Sequence, residues 1–184
     1  MMNLPALDAG RVRLRQLGEP DLNDLHAVFS DRKAMRYWST PAFVDLDETR
    51  AYLASIDRGR KHGDLLQWGI ELVDEARIIG TTTLFSINTE QHRAEIGYVL
   101  NSDYWGKGHA SAALRRLFQH ARDEMGLRRI EADVDPRNAA SLRCIERLGF
   151  LREGLCRERW VVAGEIQDAV ILGLLLRELV ADAR

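Results

Sequence analysis

The sequence predicts an α/β domain of the layered α+β kind, a mixed sheet of about seven strands with helices on both faces. Segments that alternate like strands and segments with helical spacing interleave along the chain in the order β, α, α, β, β, β, α, β, α, β, β. Most connections are short turns that favour antiparallel pairing. Only the middle of the chain, strand, glycine loop, helix, strand, requires a right-handed parallel crossover. A chain of 184 residues, 46% hydrophobic and 29% charged, is the size and mixture of one ordinary globular domain, read here as residues 1–184.

Each element has its own signal. In "RVRLRQL" Val12, Leu14 and less cleanly Leu17 alternate with polar residues, which suits a half-buried strand. "EPDLNDLHAVFSD" opens on an acidic, proline-containing turn and sets Leu22, Leu25, Val28 and Phe29 on one helical face. "LDETRAYLASIDRGRKHG" is a second helix, with Leu46, Tyr52, Leu53 and Ile56 inward and Gly63 beyond its end. "LLQWGIEL", "ARIIGTTTLF" and "RAEIGYVL" form a meander through the turns "VDEA" and "SINTEQH". A helix over 108–125 follows, ended by Gly126. Then come the strand "RRIEADVD", the helix "NAASLRCIERLG" ending at Gly149, and the hairpin "WVVAGEIQDAVIL" turning at Ala163-Gly164.

Composition excludes several classes. The 26 basic and 28 acidic residues leave a formal charge of −2, which argues against a dedicated nucleic-acid binder. Cys144 and Cys156 fit no zinc or redox spacing and read as reduced thiols of a cytoplasmic protein. "MMNLPALDAGRVRL" lacks the basic-then-apolar pattern of a signal peptide, and the apolar run "VILGLLL" is too short to span a bilayer, so no membrane partner is expected.

The chemistry concentrates in "NSDYWGKGHASAALRRLFQHA". A helix N-terminus offers unpaired N–H groups and partial positive charge, glycines let backbone approach a phosphate closely, and Lys107 adds a mobile cation. A glycine-rich turn that merely joins strand to helix accounts for the same residues. No Gly-Lys is followed by Ser or Thr, so a Walker loop is excluded. A dinucleotide fingerprint fits Gly106 and Gly108 but has Ser111 in place of the third glycine, with Glu131 or Asp133 as its acidic residue. A coenzyme A pyrophosphate loop, Q/R-x-x-G-x-G/A, maps onto Trp105-Gly106-Lys107-Gly108-His109-Ala110, with Trp in the first place.

The context of that loop, "AEIGYVL…YWGKGHASAAL…IEADVDPRNAASLRCIERLGFLREG", resembles the GNAT superfamily of acetyl-CoA-dependent N-acetyltransferases. Within it, the segment looks like the branch that includes the RimJ and RimL ribosomal-protein N-acetyltransferases. The pattern is dense over residues 94–154, with echoes in "RVRLRQL", "MRYW" and "VAGEIQDAVILGLL". The resemblance implies a strongly twisted sheet whose central strands, "EIGYVL" and "IEADV", splay apart. Tyr98, Val99 and Leu100 would pair with the pantetheine arm like an added strand. The loop from Trp105 through Gly106, Lys107, Gly108, His109 and Ala110 to Ser111 would wrap the diphosphate. By the same resemblance Asn138 bonds the pantetheine amide, and Ser141 lies near the thioester sulfur. A two-fold dimer is a further implication.

The implied reaction is transfer of acetyl to a primary amine, here expected to be a protein N-terminus, with a polyamine, amino acid or antibiotic as small-molecule rivals. A non-catalytic acyl-CoA-binding module is the reading from another class. An amine protonated at neutral pH must lose a proton before attack, which a carboxylate or a water chain accepts. Glu95, at the head of an apolar strand and on one face with Gly97 and Val99, is the candidate base; a surface pair with Arg93 or Arg129 is the plainer account. Ser141 and Tyr98 are candidate donors to the departing thiolate. Asn138 fits a helix N-cap as well as a ligand contact. Cys144 reads as a small core residue, Arg143 and Arg147 as a solvated helix face within reach of a 3′-phosphate, and His109 as exposed. No second histidine stands at metal-ligand spacing, so no metal is expected. Arg36, Tyr37 and Trp38, in the loop between the early helices, are the candidate acceptor-binding residues, though Trp38 equally suits a core anchor.

Overall fold

The computed structural model describes residues 3–63 and 65–179. The elements run β1 (Leu7–Ala9), β2 (Val12–Gln16), α1 (Leu22–Phe29), α2 (Leu46–His62), β3 (Leu65–Leu72), β4 (Arg77–Asn88), β5 (Arg93–Leu100), α3 (His109–Asp123), β6 (Arg129–Val134), α4 (Ala139–Arg147), β7 (Leu151–Val162) and β8 (Glu165–Leu175). They build one mixed sheet in the order β1-β2-β3-β4-β5-β6-β8-β7. Every neighbouring pair is antiparallel except β5–β6, the pair joined through α3, as the crossover argument requires.

Alternation along the strands sends side chains into two apolar layers. On one face Trp68, Ile70, Leu84, Ala94, Ile96, Ile130, Leu172 and Leu174 pack with Leu114, Leu117 and Phe118 of α3 and with Leu142 and Ile145 of α4. On the other, Leu17, Ile78 and Val99 pack with Leu25, Val28 and Phe29 of α1, Met35, and Ile56 of α2. Each fully buried Leu, Ile or Phe stabilises the fold by about 1.5–3 kcal/mol relative to an exposed one.

The structure departs from the sequence reading in four places. There are eight strands: β1 adds a short antiparallel partner to β2, turning at Gly10, whose φ is +75°. β4 runs on through Asn88, so the turn before β5 is shorter than "SINTEQH". β7 begins at Leu151, not at Trp160. It is an edge strand whose residues are nearly all exposed, so it carries no apolar alternation, and its charged side chains suit an unpaired edge. Leu46, expected inward, is exposed in the first turn of α2, where Thr49 takes the buried position and meets His26 Nδ1 at 2.8 Å.

One feature of the sheet positions the site. β5 and β6 pair only at Arg93–Arg129, Ala94–Ile130 and Glu95–Glu131. From Ile96 onward β5 stays paired with β4, and β6 stays paired with β8. The sheet therefore forks after Glu95, leaving one backbone edge of β5 bare over Ile96–Leu100.

Candidate active site

A cleft of about 510 Å³ opens at the fork, between the bare edge of β5 and the N-termini of α3 and α4. It brings together Tyr98, Val99 and Leu100; Trp105, Gly106, Gly108, His109, Ala110 and Ser111; Asn138 and Ser141; and Tyr37 and Trp38. Three expected site residues, Glu95, Lys107 and Arg36, do not line it.

The anion-binding end follows from backbone conformation. Gly106 and Gly108 have φ of +74° and +82°, the left-handed region that glycine enters without strain. Gly108 is the N-cap of α3, and its carbonyl accepts first from Ala112 N at 3.0 Å. The N–H groups of His109, Ala110 and Ser111 precede that bond and have no intrahelical carbonyl to reach. Trp105, in the place of a Gln or Arg, donates its indole N–H to Leu100 O at 2.7 Å and so ties the loop to the end of β5. Lys107 Nζ bonds Asp103 O at 3.1 Å and lies 5.2 Å from the centre of the Tyr104 ring. His109 is not exposed as expected but only 6% accessible, because α3 packs against β1 and β2. Burial first, then Lys107 and Arg11, hold its imidazole below the usual histidine range.

Asn138 caps α4: its Oδ1 accepts from Ser141 N at 3.1 Å, and it also lines the cleft. Both readings of Asn138 from the sequence are compatible with that position. Across the cleft, Tyr98 OH lies 2.9 Å from Ser141 Oγ. Burial, then Cys144, push the Tyr98 phenol above its ordinary range, so it stays protonated at neutral pH. Cys144 packs partly against the core as expected, but it also lines the cleft, with Sγ 3.5 Å from Ser111 Oγ. These groups tie β5, α3 and α4 together through polar contacts at the centre of the cleft.

Four cations complete the lining. Lys33, Arg137, Arg143 and Arg147 all line the cleft, and no Asp or Glu does among the described residues. Arg143 and Arg147 had the helical spacing to do so; nothing in the sequence distinguished Lys33 or Arg137.

On the other face of the fork, Trp38 lies over Gly97 and meets the Phe29 ring edge-on at 6.1 Å, so it anchors the loop and walls the cleft at once. Arg36 stacks on Tyr37, 5.2 Å from the ring centre. Glu95 is half-buried on this face, the last residue before the strands part, in register with Glu131. Glu131 is matched by Arg93 at 2.9 Å and Arg129 at 2.8 Å, and Asp133 by Arg159 at 3.3 Å. Glu95 has no hydrogen bond or ion pair among the described residues. Among those residues no group of three or more His, Cys, Asp or Glu side chains converges as metal ligands, and no helix is long and apolar enough to cross a membrane.

A parted central strand pair, a bare strand edge, a row of free N–H groups and basic side chains in the lining together suit an extended, amide-bearing, phosphorylated ligand, the chemistry of coenzyme A. The sequence profile of the acetyltransferase (GNAT) domain matches residues 11–151, and the chain belongs to that family. It is 33% identical over 168 residues to the "Uncharacterized N-acetyltransferase p20" of Bacillus licheniformis, covering 91% of this chain and 94% of that protein. Its identity to the spermidine N(1)-acetyltransferase of Escherichia coli K12 is 24% over 175 residues, 95% of this chain and 91% of that one. Among solved structures, Mycobacterium smegmatis RimJ in complex with CoA-disulfide superposes with a TM-score of 0.84 at 26% identity, covering 97% of this chain and 90% of that one. The protein is an acetyl-CoA-dependent N-acetyltransferase.

Proposed function

We propose that this enzyme acetylates the free α-amino group of a protein or peptide N-terminus by direct transfer, as a RimJ/RimL-like cytoplasmic enzyme built from one domain. The observation that carries the choice is the charge pattern at the fork. Glu95 is the one carboxylate of Glu95, Glu131 and Asp133 without an arginine, and the charged side chains lining the cleft beside it are all basic. One unmatched carboxylate suits one ammonium group. A polyamine brings further positive charges, and they would face Lys33 with no carboxylate lining the cleft to receive them.

In this reading Glu95 attracts the protonated amine and takes its proton. Tyr98 lies three residues further along β5, about 10 Å away at roughly 3.3 Å per residue, and on the opposite face. The proton therefore passes through water between the reacting centre and the carboxylate. The bare edge of β5 supplies N–H donors to the pantetheine arm and to the developing oxyanion. Gly106, Gly108, His109, Ala110 and Ser111 hold the diphosphate, with Lys107 and Trp105 fixing the loop. Asn138 meets the pantetheine amide, and Ser141, hydrogen-bonded to the neutral Tyr98, donates toward the departing thiolate. Arg36, Tyr37 and Trp38 border the acceptor. The relative named as a spermidine acetyltransferase supports polyamine acetylation as the second reading.

Calorimetric titration with acetyl-CoA, followed by transfer assays on a short peptide with a free N-terminal serine and on spermidine, tests this. We expect the peptide to be the better acceptor. Glu95→Gln should lower kcat by about 10²–10⁴-fold while leaving acetyl-CoA affinity within about twofold. A kcat/KM for spermidine above that for the peptide would transfer the assignment to polyamines. Tight acetyl-CoA binding with transfer to no amine would leave a non-catalytic coenzyme-binding module.

A further inference from the structure

Arg137 joins three separate pieces of the molecule: its own β6–α4 connection, the start of β8 and the Tyr37 loop. Its Nη2 and Nε bond the Asp135 carboxylate at 2.6 and 3.0 Å, and its backbone N–H bonds the same group at 2.8 Å. Its Nη1 reaches Glu165 Oε1 at 2.5 Å, where β8 leaves the hairpin turn. Its guanidinium carbon lies 5.8 Å from the centre of the Tyr37 ring, in the loop between α1 and α2. Its next neighbour is Asn138, the cap of α4, whose N–H bonds Asp135 O at 2.9 Å.

Asp135 is the fixed point of this arrangement. It is only 9% exposed. Burial disfavours its charge, but the bonds from Arg137 and the nearby Arg36 outweigh that and hold the carboxyl below its ordinary range. Arg137 and Glu165, by contrast, are about half exposed, with side-chain accessibilities of 50% and 57%. An exposed ion pair contributes little to global stability. Its position across the mouth of the cleft, between the Tyr37 loop and the β7–β8 hairpin, gives it a different use.

We infer that Arg137 is a positioning residue for the acceptor: its planar fork couples the Tyr37 loop and the β7–β8 hairpin to the Asn138 cap, and so sets the width of the opening through which the amine arrives. Lysine does not replace it, because a point charge cannot bridge Asp135 and Glu165 while stacking on Tyr37. The acceptor role rests on the proposed function, in which the Tyr37 side receives the amine. The mechanical coupling does not.

The test uses Glu165→Gln and Arg137→Lys in the full chain. Hydrogen–deuterium exchange, which needs no acceptor, should show faster exchange over residues 33–44 in Glu165→Gln, although the altered residue lies in the hairpin. Faster exchange confined to the hairpin would overturn the coupling. In steady-state assays with the N-terminal serine peptide, both variants should raise the acceptor KM about tenfold, with kcat and the acetyl-CoA Kd changed less than about twofold, a loss of ground-state binding alone. Equal movement of the acetyl-CoA Kd and the acceptor KM would overturn the acceptor role and make Arg137 a scaffold for the whole cleft. Should the unaltered enzyme acetylate neither peptide nor spermidine, the proposed function falls and takes the acceptor role with it, while the exchange measurement still decides the coupling.

Discussion

Burial governs two tyrosines in the same direction, with consequences that differ because their neighbours differ. Tyr52, on α2, donates its hydroxyl to Gln67 Oε1 at 3.0 Å. Burial pushes its phenol up to about 12, against a small opposing pull from Gln67. The folded state therefore holds this proton more tightly than the unfolded chain, whose phenol titrates near the ordinary 10.0. The stabilisation is complete below about pH 10 and is lost as pH rises toward about 12, by roughly 1.4 kcal/mol per pH unit. Urea unfolding across that window should show a falling midpoint, and Tyr52→Phe should flatten the fall; equal slopes in both proteins would refute the assignment. Tyr98 is shifted the same way but faces Ser141 in the cleft, so its retained proton is available to chemistry.

The loop before α3 and the start of that helix act as one element. No heavy atom lies within 4 Å of where a Cβ on Gly108 would stand, so Gly108→Ala meets no clash. Its cost is the left-handed backbone alone, about 1–2 kcal/mol. Relaxing that strain rotates the N–H row of His109, Ala110 and Ser111, and acetyl-CoA affinity should fall about tenfold. Gly63, at φ +81° beyond α2 and equally open, serves as the control. Gly63→Ala should lose comparable stability with an unchanged acetyl-CoA Kd by calorimetry. If both variants weaken binding alike, the loop's effect is a general loss of stability, not anion recognition.

Across the whole molecule, a formal charge of −2 conceals a strong local asymmetry. Lys33, Arg137, Arg143 and Arg147 gather in one cleft that no carboxylate of the described residues lines, and of the four only Arg137 is ion-paired among those residues, with Asp135 and Glu165. Fields focused in a cleft steer charged ligands and weaken with salt. Replacing Arg143 and Arg147 together by glutamine should lower acetyl-CoA affinity and flatten its salt dependence. It should also erase the preference for coenzyme A over its 3′-dephospho form, measured by competition. A preference that survives would return these arginines to the solvated face that the sequence alone favoured.

Local chemistry was legible in the sequence. Helical and strand periods located α1 to α4 and most strands, Gly63 and Gly164 marked a helix end and a hairpin turn, and Asn138 announced a cap. The loop from Trp105 to Ser111, apart from Lys107, and the Asn138–Ser141 segment line the cleft as the sequence led one to expect, because each presents its own backbone, whereas nothing marked Lys33 or Arg137. The part of β7 before Trp160 escaped because an exposed edge strand needs no apolar alternation, and β1 because it is only three residues long. What the tertiary structure alone decided is which distant groups meet. It put Glu95 at the fork without a counter-ion, Cys144 against Ser111, His109 in a buried position, and Arg137 between Asp135, Glu165 and Tyr37. Periodicity records which face a side chain takes within its own element. The order of strands in the sheet, and the register at which β5 and β6 stop pairing, fix its neighbours across the fold.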